Sequence, residues 1–163
     1  MNLALAVVSL VVASKSGLSV LVIVLVAYGC IRLFEVVVYQ AKVVLFDPYR
    51  QPRSTPDYAV RSYRRIVVLA LHNYFEAAVW FAAAYAAFRH LFGENALVLS
   101  TPVGALYYSM VTMTTVGYGE ITPANDCGRA IVIAHLLVAV FMTLVILARF
   151  IAFLPLPRTL DDT

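Results

Sequence analysis

Two stretches of the chain are long and apolar enough to cross a bilayer as helices. Residues 66–88 contain one formally charged side chain, Glu76, and residues 130–148 contain none. Both stretches approach the about 20 apolar residues that a membrane-spanning helix requires. We therefore predict one transmembrane helix over each of them.

The second predicted helix carries signals for its beginning and its end. Asn125 or Asp126 can cap its N-terminus, and Pro155 and Pro157 prevent its continuation. Residues 155–163 then form a short tail, which we expect on the cytoplasmic side.

The N-terminal region, residues 1–46, is apolar but interrupted. Residues 3–13 are too short for a comfortable span, and a polar break at residues 14–17 separates them from the longer run 18–46. This pattern is compatible with one or two crossings. We favour two, as a hairpin that turns at Lys15, because the second run is long enough to cross and then continue at the interface.

Residues 47–65 are the most polar stretch and contain five arginines. They also contain three prolines, which indicate a linker: Pro48, Pro52 and Pro56. Because positively charged loops favour the cytoplasm, we place this linker there, so that residues 66–88 run outward and residues 89–101 lie outside. The charges beyond the second helix agree with this path: Arg149 and Arg158.

A third apolar stretch, residues 102–113, lies between the two predicted helices. Thr101 is a suitable N-cap and Pro102 a suitable first helical residue. A helix of this length measures about 18 Å, which is too short to cross. The chain must therefore enter and return on one side through residues 114–122, and irregular backbone at membrane depth is tolerated only within protein or along a water-filled cavity. This arrangement predicts a pore.

The composition supports a membrane protein. Hydrophobic residues make up 63% of the chain and charged residues 13%, too few to cover a water-soluble surface. The formal net charge is +3, but the arginines are scattered, so we expect lipid and not nucleic acid as the surrounding partner. We predict an all-α, multi-pass protein of the cell membrane.

The return path contains the motif Thr115-Val116-Gly117-Tyr118-Gly119. A dehydrated cation needs a shell of oxygens, which successive backbone carbonyls can supply, and the two glycines can adopt positive φ. With its flanking residues 112–123, this motif resembles the selectivity filter of tetrameric potassium channels, and the resemblance covers about residues 66–153. We therefore name residues 115–119 the filter and residues 102–113 the pore helix.

The resemblance implies a potassium channel pore domain over residues 66–154, with an outer helix, a re-entrant pore helix and an inner helix. It implies a homotetramer, in which three identical subunits complete a central pore, and passive conduction of K+. The ion would bind to carbonyls of the filter residues Thr115, Val116, Gly117 and Tyr118. We expect no organic cofactor and no catalytic residue.

Several positions depart from the family pattern. Glu120 replaces the usual aspartate after the filter, and it could form a ring of four carboxylates at the outer mouth or bond to a neighbouring tyrosine. The residues that the resemblance assigns to bracing the filter are Tyr107, Tyr108, Val111 and Thr112, where relatives often have two tryptophans and a glutamate.

The inner helix presents one stripe that, by resemblance, lines the cavity and the cytoplasmic gate: Val140, Thr143, Leu147 and Ile151. The alternative is ordinary packing against lipid or helices. Many relatives have a hinge glycine in mid-helix, where this chain has Ala139, so bending there is not supported. His135 is either a satisfied packing histidine, which we favour, or a sensor.

Glu76 lies near the predicted bilayer midplane, with His72 one turn before it and Asn73 on the same side. An acid at that depth is a candidate functional group. The alternative, which we favour, is a hydrogen-bonded clasp between helices in which His72 and Glu76 satisfy each other. Arg32 and Glu35 fit the same structural interpretation.

Three other functions remain open. The chain could be a weakly selective cation channel, a non-conducting accessory subunit of another channel, or an intramembrane enzyme built on His72 and Glu76. No metal-ligand cluster or nucleophile accompanies these two residues, so the enzyme is the weakest alternative. No arginine repeat typical of a voltage sensor is present in the sequence.

Overall fold

A computed structural model describes the backbone of residues 2–16, 18–50 and 56–153, and side chains outside residues 44–64 and 152–153. Five α-helices account for most of these residues: α1 Asn2–Ser16, α2 Val20–Arg50, α3 Pro56–Ala87, α4 Pro102–Met113 and α5 Asp126–Phe153. Two short 3-10 helices, Arg89–Leu91 and Glu94–Ser100, connect α3 to α4. The described part is all-α, as the sequence predicts.

Three helices are long and apolar enough to cross a membrane by length and composition: Val20–Val43, Arg65–Ala87 and Asp126–Ile151. The last two are the transmembrane helices predicted around residues 66–88 and 130–148. Helix α3 is central, because it packs against each of the other four helices. Its buried face is rich in alanine, which lets neighbouring helices approach closely.

The N-terminal helices α1 and α2 form a hairpin whose turn lies between Ser16 and Val20, next to the predicted turn at Lys15. Leu10 and Ala13 of α1 pack against the alanine-rich outer half of α3. Helix α1 has 15 residues and measures about 22 Å, less than the about 30 Å of a hydrocarbon core. The predicted second crossing in the N-terminal region therefore stays a prediction.

Two predicted boundaries differ from the structure. The stretch expected to be a proline-marked linker is helical up to Arg50 and again from Pro56. Pro56 occupies the first position of α3, where a proline costs no hydrogen bond. Helix α5 continues to Phe153, so Arg149 lies inside the helix and not beyond it. Pro155, Pro157, Arg158 and the rest of the tail lie outside the described residues.

The start of α5 is well defined. The Asn125 side-chain oxygen accepts a hydrogen bond from the Gly128 amide at 2.9 Å, so Asn125, one of the two predicted candidates, caps the helix. Gly128 also packs closely on the preceding loop, because an added Cβ would lie 2.7 Å from the Leu91 carbonyl oxygen. This contact positions the inner helix against the outer loop.

Candidate functional site

The pore helix α4 begins at a capped turn. The Thr101 hydroxyl accepts a hydrogen bond from the Gly104 amide at 3.0 Å, and Pro102 occupies the first helical position, as the sequence predicts. The 3-10 helix Glu94–Ser100 is bent by 113° relative to α4. Gly104 permits this bend, because an added Cβ would lie 2.0 Å from the Val98 carbonyl oxygen. The chain thus turns sharply into the re-entrant helix.

The filter follows the last turn of the pore helix directly. The amides of Val116 and Gly117 both donate to the Val111 carbonyl, at 3.0 and 3.3 Å. Val111 therefore contacts the filter through its backbone carbonyl, and its predicted bracing role stays a prediction. Backbone φ is positive at every second filter residue, namely 59° at Thr115, 56° at Gly117 and 78° at Gly119.

This alternation in the sign of φ allows successive carbonyls of the filter to face one side of the strand. The sequence predicts positive φ at Gly117 and Gly119 but not at Thr115. A non-glycine residue in this region is strained by about 1–2 kcal/mol, and such strain is typical of functional sites. The hydrogen bond from the Thr115 amide to the Thr112 carbonyl, at 3.0 Å, helps to hold it.

The two tyrosines of the pore helix point in different directions. The Tyr107 ring stacks on Tyr118 of the filter, with centroids 6.5 Å apart, and the Tyr107 hydroxyl donates a short hydrogen bond to Glu120. Tyr108 instead packs edge to face with Tyr85 of α3, at 4.7 Å. Tyr107 therefore contacts the filter directly, whereas Tyr108 packs the pore helix against α3.

The outer end of the filter is tied to the loop that follows α3. The Asn95 side-chain amide donates to the Glu120 carbonyl at 2.7 Å. The Ala124 amide donates to the Leu91 carbonyl at 2.8 Å, beside an isolated β-bridge between residues 92 and 123. Asn95 and Leu91 are site residues that the sequence did not single out, because their partners lie more than 20 residues away along the chain.

Met113, the last residue of the pore helix, lies just before the filter and contacts side chains of α3 and α5. The Tyr74 hydroxyl donates to the Met113 carbonyl at 3.0 Å, and the Met113 sulfur lies 3.3 Å from His135 Nε2. The other ring nitrogen of His135 lies 2.9 Å from the Tyr85 hydroxyl, and the ring stacks on Phe81. His135 is fully buried with a partner at each nitrogen, which fits a packing histidine and not a sensor.

The inner helix α5 has two distinct faces. Its buried face includes Ala139, Met142, Val145 and Arg149. The predicted cavity and gate residues lie on the other face and are exposed in the single chain: Val140, Thr143, Leu147 and Ile151. The helix is continuous at Ala139, in agreement with the absence of a hinge glycine.

Glu76, the acid within α3, has a closer partner than the predicted His72. Arg32 Nε of α2 donates to Glu76 Oε1 at 2.9 Å, while His72 Nε2 lies 3.8 Å from Glu76 Oε2. Arg32 also pairs with the more exposed Glu35 at 2.9 Å. Asn73 is buried nearby on the same helix. Glu76 thus forms a clasp between two helices with Arg32, while His72, the predicted partner, lies at ion-pair distance but farther away.

Comparison with known proteins assigns this region to a family. A family model described as an ion channel matches residues 68–155, which include the filter and the described part of α5. The chain is 35% identical over 88 residues to the "Two pore potassium channel a" of Oryza sativa subsp. japonica, covering 54% of this chain and 23% of that protein. It is 38% identical over 58 residues to "Two pore potassium channel b" of the same organism, covering 36% and 16%.

The chain therefore spans less than a quarter of the length of these relatives. No solved structure is significantly similar to it. Helices α1 and α2 lie outside the part that the family model matches.

Proposed function

Because the chain belongs to the ion channel family whose model matches residues 68–155, we propose that it conducts K+ passively across the cell membrane. The observation that carries this proposal is the filter, with its Thr-Val-Gly-Tyr-Gly sequence and positive φ at every second residue. Backbone carbonyls from Thr115 to Tyr118 replace the hydration shell of the ion. The names of the two rice relatives support potassium as the permeant ion. This activity requires no organic cofactor or catalytic residue.

The proposed assembly is a homotetramer around a central pore. One filter strand supplies only one wall of an ion path, and four such strands surround the ion in filters of this type. In the subunit, Tyr118 is 69% exposed and Val116 is 54% exposed. Open filter backbone facing lipid is highly unfavourable, so three further subunits should cover it. The exposed α5 stripe that includes Val140 and Leu147 then lines the cavity and the cytoplasmic gate.

Glu120 has two compatible roles in this assembly. Its bond to Tyr107 holds the carboxylate beside the filter, and its exposure lets four copies form a ring at the outer mouth. A ring of carboxylates raises the local concentration of cations. The bond between Glu120 and Tyr107 and the ring of four Glu120 carboxylates therefore do not exclude each other.

Flux measurements on the purified chain in liposomes test this function. With a potassium gradient, we expect K+ flux. With an equal sodium gradient in its place, we expect a much smaller Na+ flux. Equal fluxes of the two ions would identify a weakly selective cation channel. A stable tetramer without flux would favour the non-conducting accessory subunit, and a stable monomer would contradict the proposed assembly.

Loss of the Tyr107–Glu120 hydrogen bond should shorten the conducting state without abolishing conduction. Tyr107→Phe keeps the ring on Tyr118 but removes the hydrogen bond to Glu120 from every subunit. We expect K+ selectivity to persist while the lifetime of the conducting state falls severalfold, because this exposed bond is weak and the ring contact remains. Single-channel recordings measure this lifetime. Tyr28→Phe, which removes a hydroxyl from α2 far along the chain from the filter, is the control, and an equal effect of both variants would contradict the prediction.

A further inference from the structure

Helix α2 presents one stripe of residues to the pore domain: Gly29, Arg32, Val36 and Gln40. These residues are three or four positions apart, so they share one face of the helix. Val36 and Gln40 are buried, whereas the flanking Tyr39 is 48% exposed. The family match does not include this helix. Its contacts therefore indicate a role that belongs to this chain.

The N-terminal part of the stripe, at Gly29 and Arg32, packs α2 against the outer helix α3. An added Cβ at Gly29 would lie 2.5 Å from the Trp80 ring, so the two helices are in close contact there. One turn further, Arg32 donates to the buried Glu76. Below it, Val36 packs in a cluster that includes Met113 at the base of the filter and Met142 of α5. Helix α2 thus contacts both the outer and the inner helix.

The lower end of the stripe contacts the inner helix near its cytoplasmic end. Arg149 of α5 donates to Gln40 Oε1 at 2.7 Å and to the Ile66 carbonyl of α3 at 3.1 Å. Gln40 is fully buried, and Arg149 is 9% exposed. This buried, charge-assisted contact joins α2, α3 and α5 at one point, and such contacts are stronger than those between neutral groups.

The position of Arg149 relates this contact to the gate. Arg149 lies between Leu147 and Ile151, the last residues of the proposed pore-lining stripe, but on the opposite face of α5. The helix is continuous through this region, and the sequence contains no glycine after Gly128. A helix without a hinge moves as a rod. Any displacement of Leu147 and Ile151 therefore carries Arg149 with it and changes its distance from Gln40.

We propose that Gln40 of α2 is a positioning residue for the gate: through Arg149 it holds the cytoplasmic end of the inner helix and sets the open-to-closed ratio of the channel. This proposal rests on the proposed conduction of K+. Helix α2 then acts as a clamp on the inner helix, and the clamp consists of the Gln40–Arg149 contact.

Two substitutions at Gln40 test the clamp in opposite directions. Gln40 Nε2 is buried and has no hydrogen-bond partner among the described residues. Gln40→Glu replaces this unpaired donor with an acceptor and pairs a carboxylate with Arg149, so it strengthens the contact. Gln40→Leu has a similar volume and removes the contact. A hydrogen bond to a charged group of this kind corresponds to about tenfold or more in an equilibrium constant.

The measurement is the single-channel open-to-closed ratio of the full chain in planar bilayers of fixed composition. We expect Gln40→Glu and Gln40→Leu to shift this ratio in opposite directions, by about tenfold for Gln40→Leu, with unchanged K+/Na+ selectivity. Tyr39→Leu, on the exposed face of the same helix, is the matched control and should leave the ratio unchanged. Size-exclusion profiles of each variant establish that the assembly is intact.

The outcomes separate the clamp from the proposed function. If the wild type conducts K+ and both Gln40 variants keep its open-to-closed ratio, or shift it in the same direction, the clamp is wrong and conduction stands. If the wild type carries no potassium current, the proposed function fails and the clamp fails with it.

Discussion

Replacing Gly117 with alanine should abolish potassium flux. The φ of 56° at Gly117 lies in the left-handed region, which costs an L-residue about 1–2 kcal/mol. Space is not the obstacle, because an added Cβ at this position would meet no atom of the subunit within 4 Å. In the proposed tetramer the cost occurs four times, about 4–8 kcal/mol in total, so we expect flux to fall by about a thousandfold or more.

Liposome flux of Gly117→Ala beside the wild type measures this loss, with protein amount and oligomeric state matched. The control is Gly93→Ala, since Gly93 has extended backbone with a negative φ of −75°, outside the left-handed region that strains an L-residue. An added Cβ there would lie 3.6 Å from its nearest neighbour, an ordinary contact. Normal flux through Gly117→Ala would show that left-handed backbone at this position is not needed for conduction.

Replacing Arg32 should strongly lower the free energy of unfolding of the chain. The Glu76 side chain is 1% exposed, and Arg32 is the partner that neutralises it at 2.9 Å. Without that partner, the buried Glu76 carboxylate loses its hydrogen-bonded positive charge, which costs free energy. Removal of one partner from a buried ion pair typically costs about 3–5 kcal/mol. We expect Arg32→Met to lower the thermal unfolding temperature in detergent by several degrees.

A double variant at Arg32 and Glu76 separates the cost of the unpaired charge from the cost of lost packing by the Arg32 side chain. Arg32→Met combined with Glu76→Gln leaves no uncompensated charge, so it should recover most of the stability. Glu35→Gln is the control on the same arginine, because the Glu35 side chain is 58% exposed and its contact contributes little. Equal losses for Arg32→Met and Glu35→Gln would contradict a special role for Glu76.

Conduction should survive changes at this pair. Glu76 lies in α3, and its partner lies in α2, away from the filter in the sequence. Glu76→Gln keeps the size of the side chain and a hydrogen-bond acceptor for Arg32. Potassium flux should therefore persist in Glu76→Gln. Its complete loss with an intact assembly would favour the alternative that Glu76 takes part in function.

The re-entrant element was predictable because its signals are local. Thr101 and Pro102 mark the first turn of a helix, and residues 102–113 are too few to cross a bilayer. The filter glycines follow directly and need no distant residue to be recognised. The two long spans depend only on the length and apolarity of their own residues. Each of these features is determined by neighbouring positions in the chain.

The polar contacts within the helix bundle depend on the tertiary structure. Spacing along one helix made His72 the expected partner of Glu76, but Arg32 lies 44 residues away in sequence and closer in space. Arg149 was expected beyond its helix, yet it lies inside α5 and contacts Gln40 across 109 residues. His135 meets Tyr85 across 50 residues.

The membrane setting, the re-entrant helix and the filter motif can all be read from the amino-acid sequence, because they follow from the composition and spacing of adjacent residues. The pairing of buried polar groups is set by the packing of the helices, because it depends on their rotation and separation. A periodic pattern shows which residues share a face of a helix. It does not show which face of another helix lies opposite, and the Gln40–Arg149 and Arg32–Glu76 contacts are set by that packing.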